Sequence, residues 1–259
     1  MQLRLAKRYN NKIMKAIAEF NLISDGDKIM VALSGGKDSM FLLFALNVLQ
    51  KHMAINFKIS ALTIDNGFAA KSDYTPLKSF CKAIDTEYHI YETDILKDLN
   101  QKNVSNPCAK CSYLRKGVMA GFCKQKGYNK LALGHHYDDA IETFLISLIY
   151  SGQLKTFLPK RFLSKKEIFV IRPLVYLREK DIERFQRNNK LNTINNLCPF
   201  AEESKRNKIR ENLDFIFSNK QLFYNLAAAI RGNKNIELWP EKKENKELMK
   251  EMYKLWGKK

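Results

Sequence analysis

No run of about 18 successive apolar residues occurs in the 259-residue chain, so a membrane-spanning helix is not expected. The first residues, Met1 to Tyr9, lack the apolar stretch of a secretion signal, which points to the cytosol. Acidic residues are scarce. Asp plus Glu number 27 against 45 Lys plus Arg, a net charge of +18. Such an excess works against compactness by self-repulsion and suits a polyanionic partner. Nucleic acid is the first candidate and an anionic membrane surface the second, against a merely lysine-rich composition. There is no internal repeat and no low-complexity linker. Five cysteines in a reducing compartment read as ligands or catalytic thiols before disulfides.

What is present is a soluble-protein composition, 45% hydrophobic, in a chain long enough to bury a core without covalent staples. Residues 3–21 have the spacing of an amphipathic helix. After the turn Asp25-Gly26-Asp27, Lys28 to Leu33 reads as a buried strand, Ser34-Gly35-Gly36 as a loop, and Lys37 to Lys51 as an apolar helix. The alternation continues. Strands are expected over Phe57–Ile64, Glu87–Tyr91, Lys130–Gly134 and Glu167–Ile171, and helices over 71–85, Ser112–Lys126 and Asp138–Tyr150. Residues 94–111 read as irregular. Beyond Arg178 only helical patterns remain, broken near Asn195–Pro199 and Trp239-Pro240. Strand–helix alternation implies an α/β fold, a doubly wound, mostly parallel sheet with helices on both faces. Three parts are expected: an N-terminal helical segment at 1–24, the α/β domain at 25–190, and a C-terminal helical region at 191–259.

Ser34-Gly35-Gly36-Lys37-Asp38-Ser39 lies between an expected strand and an expected helix. Adjacent glycines let the backbone turn tightly and bring its N–H groups to a ligand. The following helix adds free N–H groups and a positive dipole end. With Lys37 and the hydroxyls of Ser34 and Ser39, the loop could hold a pyrophosphate or triphosphate. Asp38 suits Mg²⁺ or the helix's own N–H groups. The spacing is neither the Walker loop nor the dinucleotide Gly-x-Gly-x-x-Gly.

That string resembles the pyrophosphate loop of the N-type ATP pyrophosphatases, the PP-loop superfamily, whose fold is of the adenine nucleotide α-hydrolase type. A second string, Leu133-Gly134-His135-His136-Tyr137-Asp138-Asp139-Ala140-Ile141-Glu142-Thr143, is similar to a signature of the tRNA-thiolating and lysidine-forming branches. Glu19–Ile23, Gly26–Val31, Arg172-Pro173-Leu174 and Arg178–Ile182 agree with the 2-thiocytidine branch in particular. From about residue 3 to 215 the chain resembles the TtcA family, the tRNA 2-thiocytidine synthetases. The resemblance implies ATP and Mg²⁺, a tRNA substrate, a homodimer, and an iron–sulfur cluster that takes part in delivering sulfur. A lysidine synthetase-like ligase, a 2-thiouridine-forming enzyme and a non-catalytic RNA-binding protein are the alternatives.

Cys108 and Cys111 form one Cys-x-x-Cys, able to bite a metal or cluster or to form a redox disulfide. No second such pair exists, so four thiolates for zinc cannot be built this way. Cys198, in a polar loop ending at Pro199, matches the distal cysteine of the resembled family. Three thiolates on a 4Fe-4S cluster would leave one iron open to an exogenous sulfide, and the identity of the metal rests on the resemblance. Cys81 and Cys123, among apolar neighbours, read as buried structural thiols.

His135 and His136, adjacent on a strand end, point to opposite faces and rarely share a metal. Gly134 ends a strand at the edge where ligands bind in such sheets. Asp139 is the choice for a Mg²⁺ ligand or acid–base group, while Asp138 either functions or caps the next helix. Asp65 meets the ribose or adenine, or only forms its turn. Arg115 and Lys116 follow the Cys pair, and the resemblance places a basic residue near the triphosphate at one of them. For RNA, basic residues gather at Lys7-Arg8 with Lys12 and Lys15, at Lys160-Arg161 with Lys165-Lys166, and at Lys205-Arg206 with Lys208 and Arg210. Sulfur from a cysteine desulfurase, or inorganic sulfide, completes the expected partners.

Overall fold

The structure is a computed structural model describing residues 5–67, 73–100, 107–189, 191–194, 198, 213, 215–232 and 244–255. Its centre is a six-stranded sheet built from β1 (Lys28–Ala32), β2 (Lys58–Asp65), β3 (Glu87–Glu92), β4 (Lys130–Ala132), β5 (Lys160–Leu163) and β6 (Ile168–Ile171). The spatial order is β3-β2-β1-β4-β6-β5. All neighbours are parallel except β5, which pairs antiparallel with β6 at the edge. The order reverses between β1 and β4, and such a reversal opens a crevice beyond the carboxyl ends of the strands.

Side chains alternate across the sheet with period two. Ile29, Val31, Ile59, Ala61, Ala132 and Ile171 pack to one side, with α1 (Lys7–Glu19), α2 (Lys37–His52), α3 (Thr75–Ala83) and α7 (Glu179–Asn189). Met30, Leu62, Ile64, Leu131, Leu133, Ile168 and Val170 pack to the other, under α4 (Ile95–Asn100) and α5 (Pro107–Gln125). Because both faces are covered, the inner strands β1, β2, β4 and β6 are buried through most of their length rather than alternating, unlike the edge strands β3 and β5. Helix α2 is buried on nearly every side from Ser39 to Leu49, which accounts for its apolar sequence, interrupted by Asn47, whose amide donates to the Ile84 carbonyl at 2.7 Å. Asp38 in its first turn and Lys51 and His52 in its last complement the helix dipole.

A third apolar cluster joins Ile141, Phe144 and Leu145 of α6 (Tyr137–Ser151) to Leu213 and to Phe223 and Ala227 of α8 (Lys220–Ala229). The last helix, α9, spans Asn245–Leu255. No helix among the described residues is long and apolar enough to cross a membrane.

Three expectations are corrected. Residues 94–111 are not irregular throughout. They include the six-residue α4, and α5 begins at Pro107 rather than Ser112, so the Cys pair stands inside the helix. Proline suits a first helical position because its missing N–H would have no partner there. An additional strand, β5, is present at Lys160–Leu163. The cap of α6 is His136 and not Asp138. The imidazole Nδ1 accepts the Asp139 N–H at 3.4 Å, and Asp139 Oδ2 accepts the His136 N–H at 2.9 Å.

Candidate active site at the carboxyl edge of the sheet

The loop after β1 is internally tied. The Ser39 hydroxyl donates to the Gly36 carbonyl at 2.9 Å and accepts the Ser34 N–H at 3.1 Å. Its proton being committed, the Ser34 hydroxyl 3.1 Å away is the donor between the two. Gly35 has φ +84°, a left-handed conformation that glycine adopts without penalty. A Cβ there would also stand 3.0 Å from Ile194, whose N–H donates to the Gly35 carbonyl. Gly134, after β4, lies so close to α2 that a Cβ would come within 3.0 Å of the Asp38 carbonyl carbon. Gly134 thus lets the β4 loop close on the start of α2, and Gly35 lets Ile194 lie against the β1 loop.

Lys37 Nζ stands 2.6 Å from Glu179 Oε1 and 3.5 Å from Asp38 Oδ1. Burial lowers the Lys37 pKa, but Asp38 and Glu179 more than offset this and leave it above its ordinary value. Burial pushes the Asp38 carboxyl up, opposed by His136 and Lys37. Asp38 Oδ1 is buried without a hydrogen-bond donor, an oxygen suited to a cation. His136 Nε2 faces it from 3.9 Å and faces Asp139 Oδ2 from 3.5 Å. Asp138 has another role. It receives Arg178 Nε at 3.0 Å and the Glu179 N–H at 2.8 Å, with both charged side chains buried. Arg178 also lies on the Phe223 ring and donates to the Phe217 carbonyl, so Asp138 anchors the C-terminal helices. Asp65, at the end of β2, accepts the Gly67 N–H at 2.9 Å and so forms its turn.

The two histidines do diverge. His135 receives Arg172 Nε on its Nδ1 at 3.3 Å and meets the Phe157 ring, whereas His136 meets Asp38 and Asp139. Arg172 is buried, its pKa lowered to about 10 by burial and by Arg161 and partly restored by Asp139. Lys116 is likewise lowered, by burial first and then by Arg172 and Arg161.

On α5, Cys108, Cys111 and Arg115 follow one another at three and four residues, which sets them along one stripe of the helix. Cys108 is exposed and Cys111 half-buried. Burial raises the Cys111 pKa. Arg115 opposes the rise, and Cys198 and Cys108 add to it, so Cys111 lies within electrostatic reach of both other thiols. No three metal-ligating side chains among the described residues are already gathered tightly enough to hold an ion. Cys81 and Cys123 are buried, their thiols pushed up to about 12. Of the basic groups, Lys12 is paired with Asp181 at 2.7 Å, Lys160 donates to the Asn21 carbonyl, and residues 205–210 lie outside the described residues.

The loop residues Ser34–Ser39, with Asp65, Gly134 and Asp139, therefore stand at or beyond the carboxyl ends of β1, β2 and β4, and Arg115, Lys116 and the Cys pair stand on α5. Sequence reasoning did not single out Glu179, Ile194, Arg172 or Arg178 as parts of this region. Arg172-Pro173 and Arg178-Glu179 were visible only as segments of a family pattern.

A family model described as a PP-loop domain matches residues 5–214. The tRNA-cytidine(32) 2-sulfurtransferase of Pseudomonas aeruginosa strain PAO1 is 40% identical over 215 residues, covering 82% of this chain and 78% of its own. The protein of the same name from a Shewanella species is 37% identical over 214 residues, covering 82% and 69%. Among solved structures, the U34-tRNA thiolase NcsA of Methanococcus maripaludis, with its 4Fe-4S cluster, superposes with a TM-score of 0.69 at 22% identity, over 86% of this chain and 77% of that one. At that identity the likeness speaks for the fold. The crevice geometry, the family match and the identity over four-fifths of the chain place this protein in the PP-loop family, among the tRNA-cytidine(32) 2-sulfurtransferases.

Proposed function

We propose that this protein thiolates a cytidine of tRNA at C2 in two steps, with ATP as the activating substrate. One observation carries the reading. A glycine-hinged phosphate loop closes against Gly134 at the switch point of the sheet, and the same edge carries a helix presenting Cys108, Cys111 and Arg115 in one stripe.

In the first step the C2 oxygen attacks the α-phosphorus of ATP. A new O–P bond forms, the bond to the β-phosphate breaks, and pyrophosphate leaves. The amides around Gly35 and Gly36, the hydroxyls of Ser34 and Ser39, and Lys37 hold the β- and γ-phosphates. The buried Asp38 oxygen and Asp139 fit Mg²⁺, which would neutralise charge on the phosphates. Asp65 reaches the nucleoside end, and Arg115, on the stripe of the Cys pair, the α-phosphate. In the second step hydrosulfide adds at C2 and AMP departs with the original oxygen, leaving the thiocarbonyl and no net redox change.

The donor set of Cys108, Cys111 and Cys198 fits an iron–sulfur cluster, since thiolates are the ligands such clusters take and Cys111 feels both other thiols. A 4Fe-4S cluster bound there would supply the sulfur in reactive form. Arg115, beside Cys111, favours the thiolate needed for ligation. Sulfide from a cysteine desulfurase or free sulfide, a homodimeric assembly, and a cytosolic setting that keeps these thiols reduced complete the reading.

The experiment is an anaerobic assay with MgATP, sulfide and unmodified tRNA. Pyrophosphate release that depends on tRNA, with 2-thiocytidine found by nucleoside mass spectrometry, is expected. A product carrying lysine or 2-thiouridine would reassign the enzyme, and air-oxidised, metal-free protein working at full rate would remove the cluster.

A further inference from the structure

We propose that Lys116, Arg161 and Arg172 form a site for a backbone phosphodiester of the RNA substrate, distinct from the loop that holds ATP. The proposal rests on the reading above, that the substrate is tRNA.

The strand register sets the three together. Arg161 of β5 stands opposite Val170 of β6, and residues opposite one another across antiparallel strands face the same side. Val170 packs on the α5 side. Arg172, two residues further, faces that side too. Lys116 descends from α5 and feels both arginines. Lys166, at the turn of the hairpin, continues the strip along α5, its Nζ 3.7 Å from where a Cβ on Gly121 would sit.

The cluster has neutral partners where counter-ions would be expected. Arg172, only 4% exposed, donates to the Leu158 carbonyl at 2.6 Å and to His135, and lies over the Phe157 ring at 4.8 Å. Asp139 acts on it from a distance. Among the described residues, Lys116, Arg161 and Arg172 make no carboxylate salt bridge. Gathering three cations and burying one of them is costly unless an anion completes the group. The planar guanidinium of Arg161 and the fixed one of Arg172 suit phosphate oxygens.

Two features favour the RNA chain over the nucleotide as the source of that phosphate. β6 lies two strand spacings from β1, about 10 Å from the strand that carries the ATP loop, with β4 between them. The cations also run out along an edge hairpin to exposed Lys165 and Lys166, which matches a polyanion rather than a small ion.

The test measures tRNA affinity across a potassium chloride series, and MgATP affinity by calorimetry, for the wild-type full chain and for Arg161→Gln. Arg161 is exposed, so the substitution leaves the core intact. Lys51→Gln, at the far end of α2, is the control. We expect Arg161→Gln to lower the slope of log affinity against log salt by about one, with Lys51→Gln and MgATP affinity unchanged. Lys116→Gln should lower the slope similarly. A wild-type enzyme that thiolates tRNA, with an Arg161→Gln variant of equal slope and affinity, overturns the site while leaving the function standing. Weakened MgATP binding at unchanged tRNA slope overturns it as well, by assigning the phosphate to the nucleotide. Wild-type protein that binds no tRNA at any salt removes the functional reading itself.

Discussion

Lys37 of the phosphate loop is held 2.6 Å from Glu179, a carboxylate contributed by a helix 142 residues later in the chain. A triphosphate in the crevice competes with that carboxylate for the same ammonium group. Partly exposed ion pairs are worth about 0.2–1 kcal/mol, so Glu179→Gln should tighten MgATP binding by at most roughly fivefold. Lys37→Ala should do the opposite. A hydrogen bond to a charged group contributes about 1.5–3 kcal/mol, which corresponds to a loss of about 10- to 100-fold. Titration calorimetry reads both. Weaker binding by Glu179→Gln would show that the carboxylate positions Lys37 rather than competing for it.

Asp38 illustrates a functional group that costs stability. Its folded pKa lies above its unfolded value because burial disfavours the charge, despite His136 and Lys37. Between those two values the folded state binds more protons than the unfolded one. Stability therefore falls as pH rises through that window, and Asp38 destabilises the fold at neutral pH. Asp38→Asn should raise the melting temperature at pH 7 and lose that gain below the ordinary carboxylate range. MgATP binding should weaken, and its decline on mild acidification, present in the wild type, should vanish. A melting temperature that drops at pH 7 would refute the linkage.

Asp138 and Asp139 are neighbours with separable consequences. Asp138 is buried against Arg178, and breaking such a pair by removing one partner costs about 3–5 kcal/mol. Asp138→Ala should unfold at correspondingly lower urea and loosen α8, which Arg178 meets through Phe223. Asp139→Asn retains an oxygen for the His136 N–H, so the cap survives and the stability loss should stay within about 1 kcal/mol. If Asp139 serves the metal or a proton, its turnover should fall by about a hundredfold or more. Equal stability losses in the two variants would dissolve the distinction.

The parallel sheet was legible because its strands are short apolar runs between turn residues, and because Ser34–Ser39 sits where one such run ends. The two histidines were expected to diverge from strand geometry, whereas β4 ends at Ala132 and His136 is instead the cap of α6. The edge strand β5 was not legible. Lys160-Arg161-Phe162-Leu163 is four residues long and mostly solvent-facing, so it carries no buried pattern to read. Six-residue α4 is likewise too short for a helical period to show. The largest gap concerns buried cations. Whether Arg172 is covered depends on Leu158, Phe157 and His135, distant in sequence and meeting only in the fold. Glu179 escaped for the same reason. Its value to the site lies wholly in a tertiary contact with Lys37.

The five cysteines divide by environment, and chemical labelling can display the division. Burial pushes Cys81 and Cys123 up to about 12, so near neutral pH each carries about a thousandfold less thiolate than an ordinary thiol. Since the thiolate is the nucleophile, iodoacetamide should leave both untouched until the protein unfolds. Cys108 is exposed on α5 and should react first in metal-free protein. Cys111 should follow more slowly, because burial raises its pKa and Arg115 only partly opposes this. Loading with iron and sulfide under anaerobic conditions should protect Cys108, Cys111 and Cys198 together. Single Ser variants at those positions should abolish thiolation while MgATP affinity stays within about twofold, since the thiols take no part in the phosphate loop. Peptide mass spectrometry after timed labelling gives the order directly. If loading protects only the Cys108–Cys111 pair, the third ligand is not Cys198, and the sulfur-delivering site must be rebuilt around a different donor.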